Sequence, residues 1–190
     1  MNKRRGRGDV CSWESGPSLT GPLRKLLNNP RTLLERYVSE GMTVADIGAG
    51  MGFFTLPIAE LVGAGGTVIA IDLQPEMLAG LEKNAEAAGV TNIITHHCAQ
   101  NTLDIEQWNG SVDLALAYWM LHEVPDPERL IREVSAALTD TGVFIFVEPI
   151  IHVSQAKFQE SLKTITELGF RVIDRPKVSI SRAAILQKAG

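Results

Sequence analysis

Cysteine and long apolar runs are both scarce in this 190-residue chain. The two cysteines, Cys11 and Cys98, form neither a disulfide framework nor a paired metal motif. No apolar run is long enough to span a bilayer, and the N-terminus lacks the continuous apolar stretch of a signal peptide. We therefore expect a soluble cytoplasmic protein with reduced thiols, no membrane association and no metal site.

Net charge is also small, at −4, but it is unevenly distributed. Residues 1–38 hold eight Lys or Arg against three Asp or Glu, whereas residues 39–190 hold ten against nineteen. The basic start of the chain either contacts nucleic acid or an anionic surface or is solvated chain, and we favour the second interpretation. We predict an N-terminal tail and helical segment over residues 1–38, which folds over the site as a lid, and one main domain over residues 39–190.

Hydrophobic periodicity predicts strands that alternate with helices. The predicted strands cover residues 43–47, 67–72, 93–97, 112–118, 143–148, 170–173 and 178–186. The predicted helices cover residues 31–38, 53–62, 75–88, 127–138 and 155–168. Alternation of this kind predicts an α/β fold with a parallel sheet, and the last two strands must be antiparallel because no helix separates them.

A glycine-rich turn follows the first predicted strand. Gly48, Gly50 and Gly52 alternate there, and Asp46 stands two residues before the first of them. Glycine allows a backbone to turn tightly and to approach a ligand closely. Asp72, at the end of the next predicted strand, stands where α/β folds place the acid that binds a ribose diol. The two features predict a nucleoside cofactor, although Asp72 is also a candidate cap for the helix that follows it.

The turn departs from the dinucleotide fingerprint in two ways. Phe53 replaces the third glycine, and the charge of Asp46 would repel a pyrophosphate but attract a cationic amino acid group. The pattern resembles motif I of the class I S-adenosylmethionine-dependent methyltransferases. The resemblance covers residues 40–190 and implies a Rossmann-like three-layer sandwich with a mostly parallel seven-stranded sheet and an antiparallel last strand. A nicotinamide-dependent oxidoreductase is a distant alternative.

The same resemblance implies which residues hold S-adenosylmethionine. Asp46 and the glycine turn would hold its methionine part, and Asp72 would accept hydrogen bonds from the ribose hydroxyls. Leu73 and Met77 would line an adenine slot, or else belong to the core. No acid follows the third strand in the expected position, so the backbone would contact the adenine there. The cofactor-binding residues implied in this way are Asp46, Gly48, Gly50, Gly52, Asp72, Leu73, Ala99, Gln100 and Ala117.

The segment after the fourth predicted strand resembles the LHHxxDP stretch of quinone C-methyltransferases and arsenite methyltransferases. Glu123 stands where many of these relatives have a second histidine. His122 either orients the acceptor, takes its proton, or caps the helix that begins at Pro127. We expect His122 and Tyr118 to be the catalytic residues. The candidate acceptor-pocket residues are Trp13, Tyr118, Trp119, His122, Glu148 and His152.

Motifs of other methyltransferase branches are absent. The Asn/Asp-Pro-Pro-aromatic tetrapeptide of amino-group methyltransferases, the magnesium-binding acids of catechol-type enzymes and the cysteine pair of cytosine methyltransferases do not occur. We therefore favour a small-molecule methyl acceptor. The alternatives are a methyltransferase that acts on RNA or protein, and a cofactor-binding module without catalytic activity.

Overall fold

The computed structural model describes residues 30–189, in which helices alternate with strands up to the fifth strand. The helices are α1 (Pro30–Leu34), α2 (Thr55–Val62), α3 (Pro75–Ala88), α4 (Pro127–Ala137) and α5 (Gln155–Glu167). The strands are β1 (Thr43–Ile47), β2 (Thr67–Asp72), β3 (Ile93–His97), β4 (Val112–Tyr118), β5 (Leu138–Pro149), β6 (Phe170–Asp174) and β7 (Ser181–Lys188). Short 3₁₀ turns cover Glu106–Trp108 and Leu121–Glu123.

Within the described residues the strands form a seven-stranded sheet in the order β3-β2-β1-β4-β5-β7-β6. Strands β1 to β5 pair in parallel, whereas β7 pairs antiparallel with both β5 and β6. The predicted fold class, including the antiparallel last strand, is confirmed. Strands β1 and β4 are neighbours, and the later strands are added on opposite sides of this pair: β2 and β3 beside β1, and β5, β7 and β6 beside β4. A ligand crevice is expected at the carboxyl ends of β1 and β4, where the strand order reverses.

Helices cover both faces of the sheet, as the alternation of side chains along β4 shows. Leu114 and Leu116 belong to a buried cluster with residues of α1 and α2, whereas Ala115 and Ala117 belong to a second cluster with residues of α4 and α5. Neighbouring residues of a strand point to opposite faces, so the two clusters lie on opposite sides of the sheet. The molecule is therefore a three-layer sandwich with the strand ends open at one edge.

Three element boundaries differ from the sequence prediction by three residues or more. Strand β5 begins at Leu138 rather than at Val143, because Leu138 pairs with Val112 before the register shifts. Strand β7 begins at Ser181 rather than at residue 178, because Ile180 has φ of +47° and the chain turns there. Helix α1 ends at Leu34, four residues before the predicted end.

The predictions made for residues 1–29 lie outside the described residues. They concern the basic tail, Cys11, Trp13 and most of the predicted lid. Between residues 30 and 189, no helix is both long and apolar enough to cross a membrane.

Candidate functional site

A cavity of about 340 Å³ opens at the carboxyl ends of the parallel strands. Its walls come from the segments that follow β1, β2, β3, β4 and β5. It lies at the place where the strand order reverses between β1 and β4, which is where open α/β sheets bind their ligands. A cavity of this size lies within the range of small-molecule sites.

The glycine turn forms one wall of this cavity, and Gly48 shows why glycine is needed. Gly48 has φ of +76°, and its N–H, like that of Ala49, donates to the carbonyl of Ile71 on the neighbouring strand. A Cβ atom at Gly48 would lie 3.1 Å from the Cβ of Met120. Both the backbone conformation and the close approach of Met120, in the loop that follows β4, therefore favour glycine here.

The carboxylate of Asp72 is fixed at the edge of the same turn. One oxygen accepts a hydrogen bond from the N–H of Gly50 at 2.8 Å, and the other accepts one from the N–H of Gln74 at 2.9 Å. Burial raises the pKa of Asp72, although these backbone donors and the charge of His97 oppose the rise. The N-cap residue of helix α3 is Gln74, and no side chain caps the helix. Asp72 therefore orders the turn before the helix, and the capping role considered for it is wrong.

Asp46 lies beneath the turn and is only 2% exposed. Its carboxylate accepts a hydrogen bond of 2.6 Å from the hydroxyl of Thr55, in the first turn of α2. Burial raises the pKa of Asp46 to about 7, and the nearby charge of Asp72 adds to the effect while Thr55 opposes it. A cationic ligand group beside this carboxyl would favour its charged form.

The end of the cavity next to β2 and β3 is bordered by the loop that follows β3. Leu73, Met77, Ala99 and Gln100 all line it. Glu133 of α4 holds this loop in place, because its carboxylate accepts hydrogen bonds from the N–H of Leu103 and from the hydroxyl of Thr102. The backbone of the loop is thereby held at the cavity, although none of its lining residues, Cys98 to Leu103, is an acid.

Cys98 is a free thiol at the start of that loop, and it lines the cavity. Burial raises the pKa of Cys98 to about 11, and the charge of Asp72 contributes. The side chain is thus a neutral thiol at physiological pH and packs as a small apolar group.

A row of aromatic rings runs from the glycine turn to the end of β4. The ring centroids of Phe53 and Phe54 are 5.2 Å apart, those of Phe54 and Tyr118 are 4.2 Å apart, and those of Tyr118 and Trp119 are 5.3 Å apart. All four rings belong to residues that line the cavity. We name this feature the aromatic row (Phe53, Phe54, Tyr118 and Trp119).

Trp119, at the end of the row, has an unusual backbone conformation. Its φ is +61°, which is uncommon for a residue with a bulky side chain and is stabilised only by surrounding contacts. Its N–H donates to the carbonyl of Val147, and its indole N–H donates to the hydroxyl of Ser181 at 2.9 Å. Strands β5 and β7 therefore hold the indole in a fixed position.

His122 faces the cavity and is held from behind by Glu148. The carboxylate of Glu148 accepts a hydrogen bond of 2.6 Å from Nδ1 of His122 and one of 3.0 Å from the backbone N–H of the same residue. Glu148 is 2% exposed and lies at the end of β5. A carboxylate only accepts hydrogen bonds, so Nδ1 carries the proton and Nε2 of the neutral ring is an acceptor.

The charge state of His122 depends on two opposing effects. Burial alone lowers the pKa of His122, but the hydrogen bond and charge of Glu148, together with Glu123, outweigh it, and the net pKa is raised. The ring of His152 lies parallel to that of His122, with centroids 6.0 Å apart.

The cap of α4 is Asp126, which accepts a hydrogen bond from the N–H of Arg129, so the capping role considered for His122 is wrong.

Most residues predicted for the site are brought together in this cavity. The predicted residues that line it are Asp46, Gly48, Gly50, Asp72, Leu73, Ala99, Gln100, Tyr118, Trp119, His122 and His152. Gly52 and Ala117 do not line it: a Cβ at Gly52 would meet Leu81 at 3.3 Å, and Ala117 is buried in the sheet. Glu148 lies behind His122 and not in the cavity wall, and Trp13 lies outside the described residues.

The sequence analysis missed two partners of these residues and the position of a third. Thr55 donates to Asp46 and Trp119 donates to Ser181, and neither partner was expected. Glu148 was expected in the acceptor pocket because it is an acid at the end of a buried strand, but it lies behind His122 and accepts a hydrogen bond from it. Across residues 30–189, no group of three or more His, Cys, Asp or Glu is arranged to hold a metal ion.

The comparisons with known proteins agree with this geometry. A family model described as a methyltransferase domain matches residues 38–185. An arsenite methyltransferase from Aquipseudomonas alcaligenes is 30% identical over 112 residues, which cover 56% of this chain and 32% of that protein. A demethylmenaquinone methyltransferase from Shouchella clausii is 28% identical over 144 residues, which cover 74% of this chain and 60% of that protein. This chain thus spans about a third and 60% of the length of these two relatives.

A solved structure has the same fold. The crystal structure of an S-adenosylmethionine-dependent methyltransferase from Aquifex aeolicus superimposes with a TM-score of 0.82. The match covers 93% of this chain and 99% of the other, at 23% sequence identity. At this identity the likeness establishes the fold alone.

Proposed function

The chain belongs to the methyltransferase domain family, and we propose that it transfers a methyl group from S-adenosylmethionine to a small-molecule acceptor. The observation that carries the proposal is the position of Asp72 and the glycine turn on one wall of the cavity that has His122 in another wall. A cofactor site and a candidate proton acceptor therefore open into the same space.

The residues present fit this cofactor. The carboxylate of Asp72 is held by two backbone donors and faces the cavity, so its remaining lone pairs are oriented for two ribose hydroxyls. Gly48 borders the cavity with its backbone alone, because the close approach of Met120 leaves no room for a side chain there. Leu73 and Met77 offer apolar contacts for the adenine.

The bound cofactor would supply an activated methyl group on a sulfonium, so the chain itself has little bond chemistry to perform. Its main tasks are to align the acceptor, to exclude water and to accept a proton where the acceptor carries one. The aromatic row favours a positive charge nearby, because ring faces attract cations. Tyr118 and His122 are the residues that we propose for alignment and proton transfer.

A small-molecule acceptor is supported by the cavity and by two of the relatives, whereas others are named for methylation of protein or ribosomal RNA. The site is a cavity of about 340 Å³, which lies within the size range of small-molecule sites. Two of the relatives are named for arsenite and demethylmenaquinone, both small acceptors. We further propose that the reaction takes place in the cytoplasm, as the sequence composition suggests.

Calorimetry with S-adenosylhomocysteine tests the cofactor proposal. We expect the wild type to bind this product and not NAD, and Asp72→Ala to weaken binding about 100-fold, since two charge-assisted hydrogen bonds contribute roughly 3 kcal/mol. Glu76→Ala is the matched control, because it removes an exposed acid four residues away that does not line the cavity. Absence of heat in the wild type would contradict the proposal, and thermal unfolding verifies that each variant is folded.

A labelling experiment tests the acceptor class. The protein is incubated with methyl-tritiated S-adenosylmethionine and a cell extract, which is then separated into small-molecule, RNA and protein fractions. We expect the label in the small-molecule fraction. Label that is recovered with RNA or protein, and lost on nuclease or protease treatment, would favour the macromolecular alternative.

A further inference from the structure

We propose that Glu148 is a positioning residue that holds His122 as a proton acceptor, and that the methyl acceptor is therefore a neutral hydroxyl group on a flat apolar ring. This inference rests on the proposed function and specifies the acceptor for the same site. It depends on the His122–Glu148 pair, which is not part of the proposed cofactor site, and on the aromatic row.

The first step concerns the orientation of the ring. Glu148 accepts hydrogen bonds from both Nδ1 and the backbone N–H of His122, so one carboxylate fixes the side chain relative to its own main chain. With the proton held on Nδ1, the lone pair of Nε2 is the free acceptor of the ring. The arrangement is that of an acid that orients a general-base histidine.

The second step concerns which charged groups surround the ring. Glu148 of β5 lies 2.6 Å from Nδ1, and Glu123 of the 3₁₀ turn lies 4.0 Å from Nε2. Lys157 of α5 opposes these two acids, and His152 stacks on one face. The negative charges of the two acids outweigh the positive charge of the lysine, so the surroundings favour the imidazolium that forms when His122 accepts a proton.

The third step derives the acceptor from the base. A carboxylate or a thiolate is already anionic at neutral pH and needs no proton acceptor, so a buried acid–histidine pair would serve no purpose for it. A phenol-type hydroxyl is neutral at pH 7 but acidic enough to transfer its proton to imidazole during the reaction. The aromatic row lines the cavity with apolar rings, which can contact the ring that carries this hydroxyl edge-to-face or offset-stacked.

The reaction balances without another reagent. A bond forms between the hydroxyl oxygen and the methyl carbon, while the bond between that carbon and the sulfonium sulfur breaks with its electron pair on sulfur. The hydroxyl proton passes to Nε2 of His122, and the resulting imidazolium is stabilised by Glu148 until it loses the proton to solvent. The products are a methyl ether, S-adenosylhomocysteine and one proton.

The first test uses nuclear magnetic resonance on protein with ¹⁵N-labelled histidine. The spectrum of His122→Gln identifies the His122 signals among the four histidines of the chain. We expect the Nδ1–H tautomer and an elevated titration midpoint in the wild type, and a lower midpoint in Glu148→Gln. Glu123→Gln is the comparison, because it removes a nearby charge but should leave the tautomer unchanged. An unchanged His122 titration in Glu148→Gln would overturn the positioning role.

The second test uses three probes on one ring: 4-methylphenol, 4-methylbenzenethiol and 4-methylbenzoate. We expect methylation of the phenol alone, with turnover that falls as the pH drops through the His122 pKa. Glu148→Gln should lower kcat about 100-fold and move this acid limb to lower pH, since a positioned base contributes roughly that factor. KM should change much less than kcat.

The remaining outcomes overturn the inference. Methylation of the thiol or the benzoate in preference to the phenol would show that no base is required, and methylation of none would exclude the flat-ring hydroxyl class. Calorimetry with S-adenosylhomocysteine on the same protein separates the two proposals. If the product binds and the phenol is not methylated, the acceptor inference fails while the proposed function stands.

Discussion

The two halves of the cavity are built in different ways. The half that we propose for the cofactor consists of residues 46–51, 71–74, 77 and 98–103, and the half that we propose for the acceptor consists of residues 118–120 and 122–126 with Pro149 and His152. In the cofactor half the key carboxylate of Asp72 is held by backbone N–H groups. In the acceptor half the side chains are held by distant side chains, as in the pair His122 and Glu148.

The cofactor half is therefore built in a way that many reactions can share, whereas the acceptor half is particular to one reaction. Backbone donors and a glycine turn depend little on neighbouring side chains, so the cofactor half suits any reaction that uses the same cofactor. The acceptor half depends on pairs such as Trp119 with Ser181, whose members lie 62 residues apart. Substitutions in one half should therefore affect cofactor affinity, and substitutions in the other should affect turnover.

The largest expected effect separates the two halves directly. We expect His122→Ala to lower turnover between about 100-fold and 10,000-fold, because a general base contributes roughly that much. Its affinity for S-adenosylhomocysteine should match that of the wild type, whereas Asp72→Ala should lose affinity. Rates come from formation of S-adenosylhomocysteine, and affinities from calorimetry. Equal loss of cofactor affinity in both variants would show that the halves are not separable.

An intermediate effect is expected from the glycine turn. Gly48→Ala places a Cβ 3.1 Å from Met120 at a positive φ, so we expect a loss of about 1–2 kcal/mol in the free energy of unfolding. Weaker binding of S-adenosylhomocysteine should accompany it. Gly65→Ala is the matched control, because a Cβ there meets nothing within 4 Å. Urea titrations that show equal stability for the two variants would contradict the close contact.

The smallest effect concerns the buried acid of the cofactor half. The pKa of Asp46 rises from 3.8 to about 7 on folding, so the native state binds more protons than the unfolded state between these values. The contribution of neutral Asp46 to the free energy of unfolding is present at low pH and is lost as pH rises through about 7. Asp46→Asn keeps an acceptor for Thr55 without a charge, and it should lose less stability than the wild type between pH 5 and pH 8.

Urea titrations of both proteins at the two pH values measure this difference. Parallel changes in the wild type and in Asp46→Asn would show that the carboxyl does not titrate in this range. Bound S-adenosylhomocysteine, which carries an ammonium group, should reduce the difference, because a nearby cation favours the carboxylate.

The parts of the fold that the sequence predicted are those with local causes. Strands β1, β2 and β3 and helix α3 end where they were expected, because apolar runs, Pro75 and Gly89 mark their boundaries within a few residues. The start of β5 was missed because Leu138 joins the sheet through its pairing with Val112, which no local pattern indicates.

The site divides in the same manner. Gly48, Gly50 and Asp72 were recognised because their spacing along the chain reflects a single βα turn and the next strand. The left-handed conformation of Trp119 and its bond to Ser181 were not foreseen, because they depend on how β4, β5 and β7 are placed side by side.

The sequence by itself determined the fold class and located the residues that we propose for the cofactor half, since short-range patterns of apolar residues and glycine suffice for both. Only the tertiary structure placed Glu148 behind His122, 26 residues away, and so oriented the ring that we propose as a proton acceptor. The physical reason is that strand register fixes which residues of β5 meet the end of β4. Register is set by packing of the whole sheet and not by the residues that the site uses.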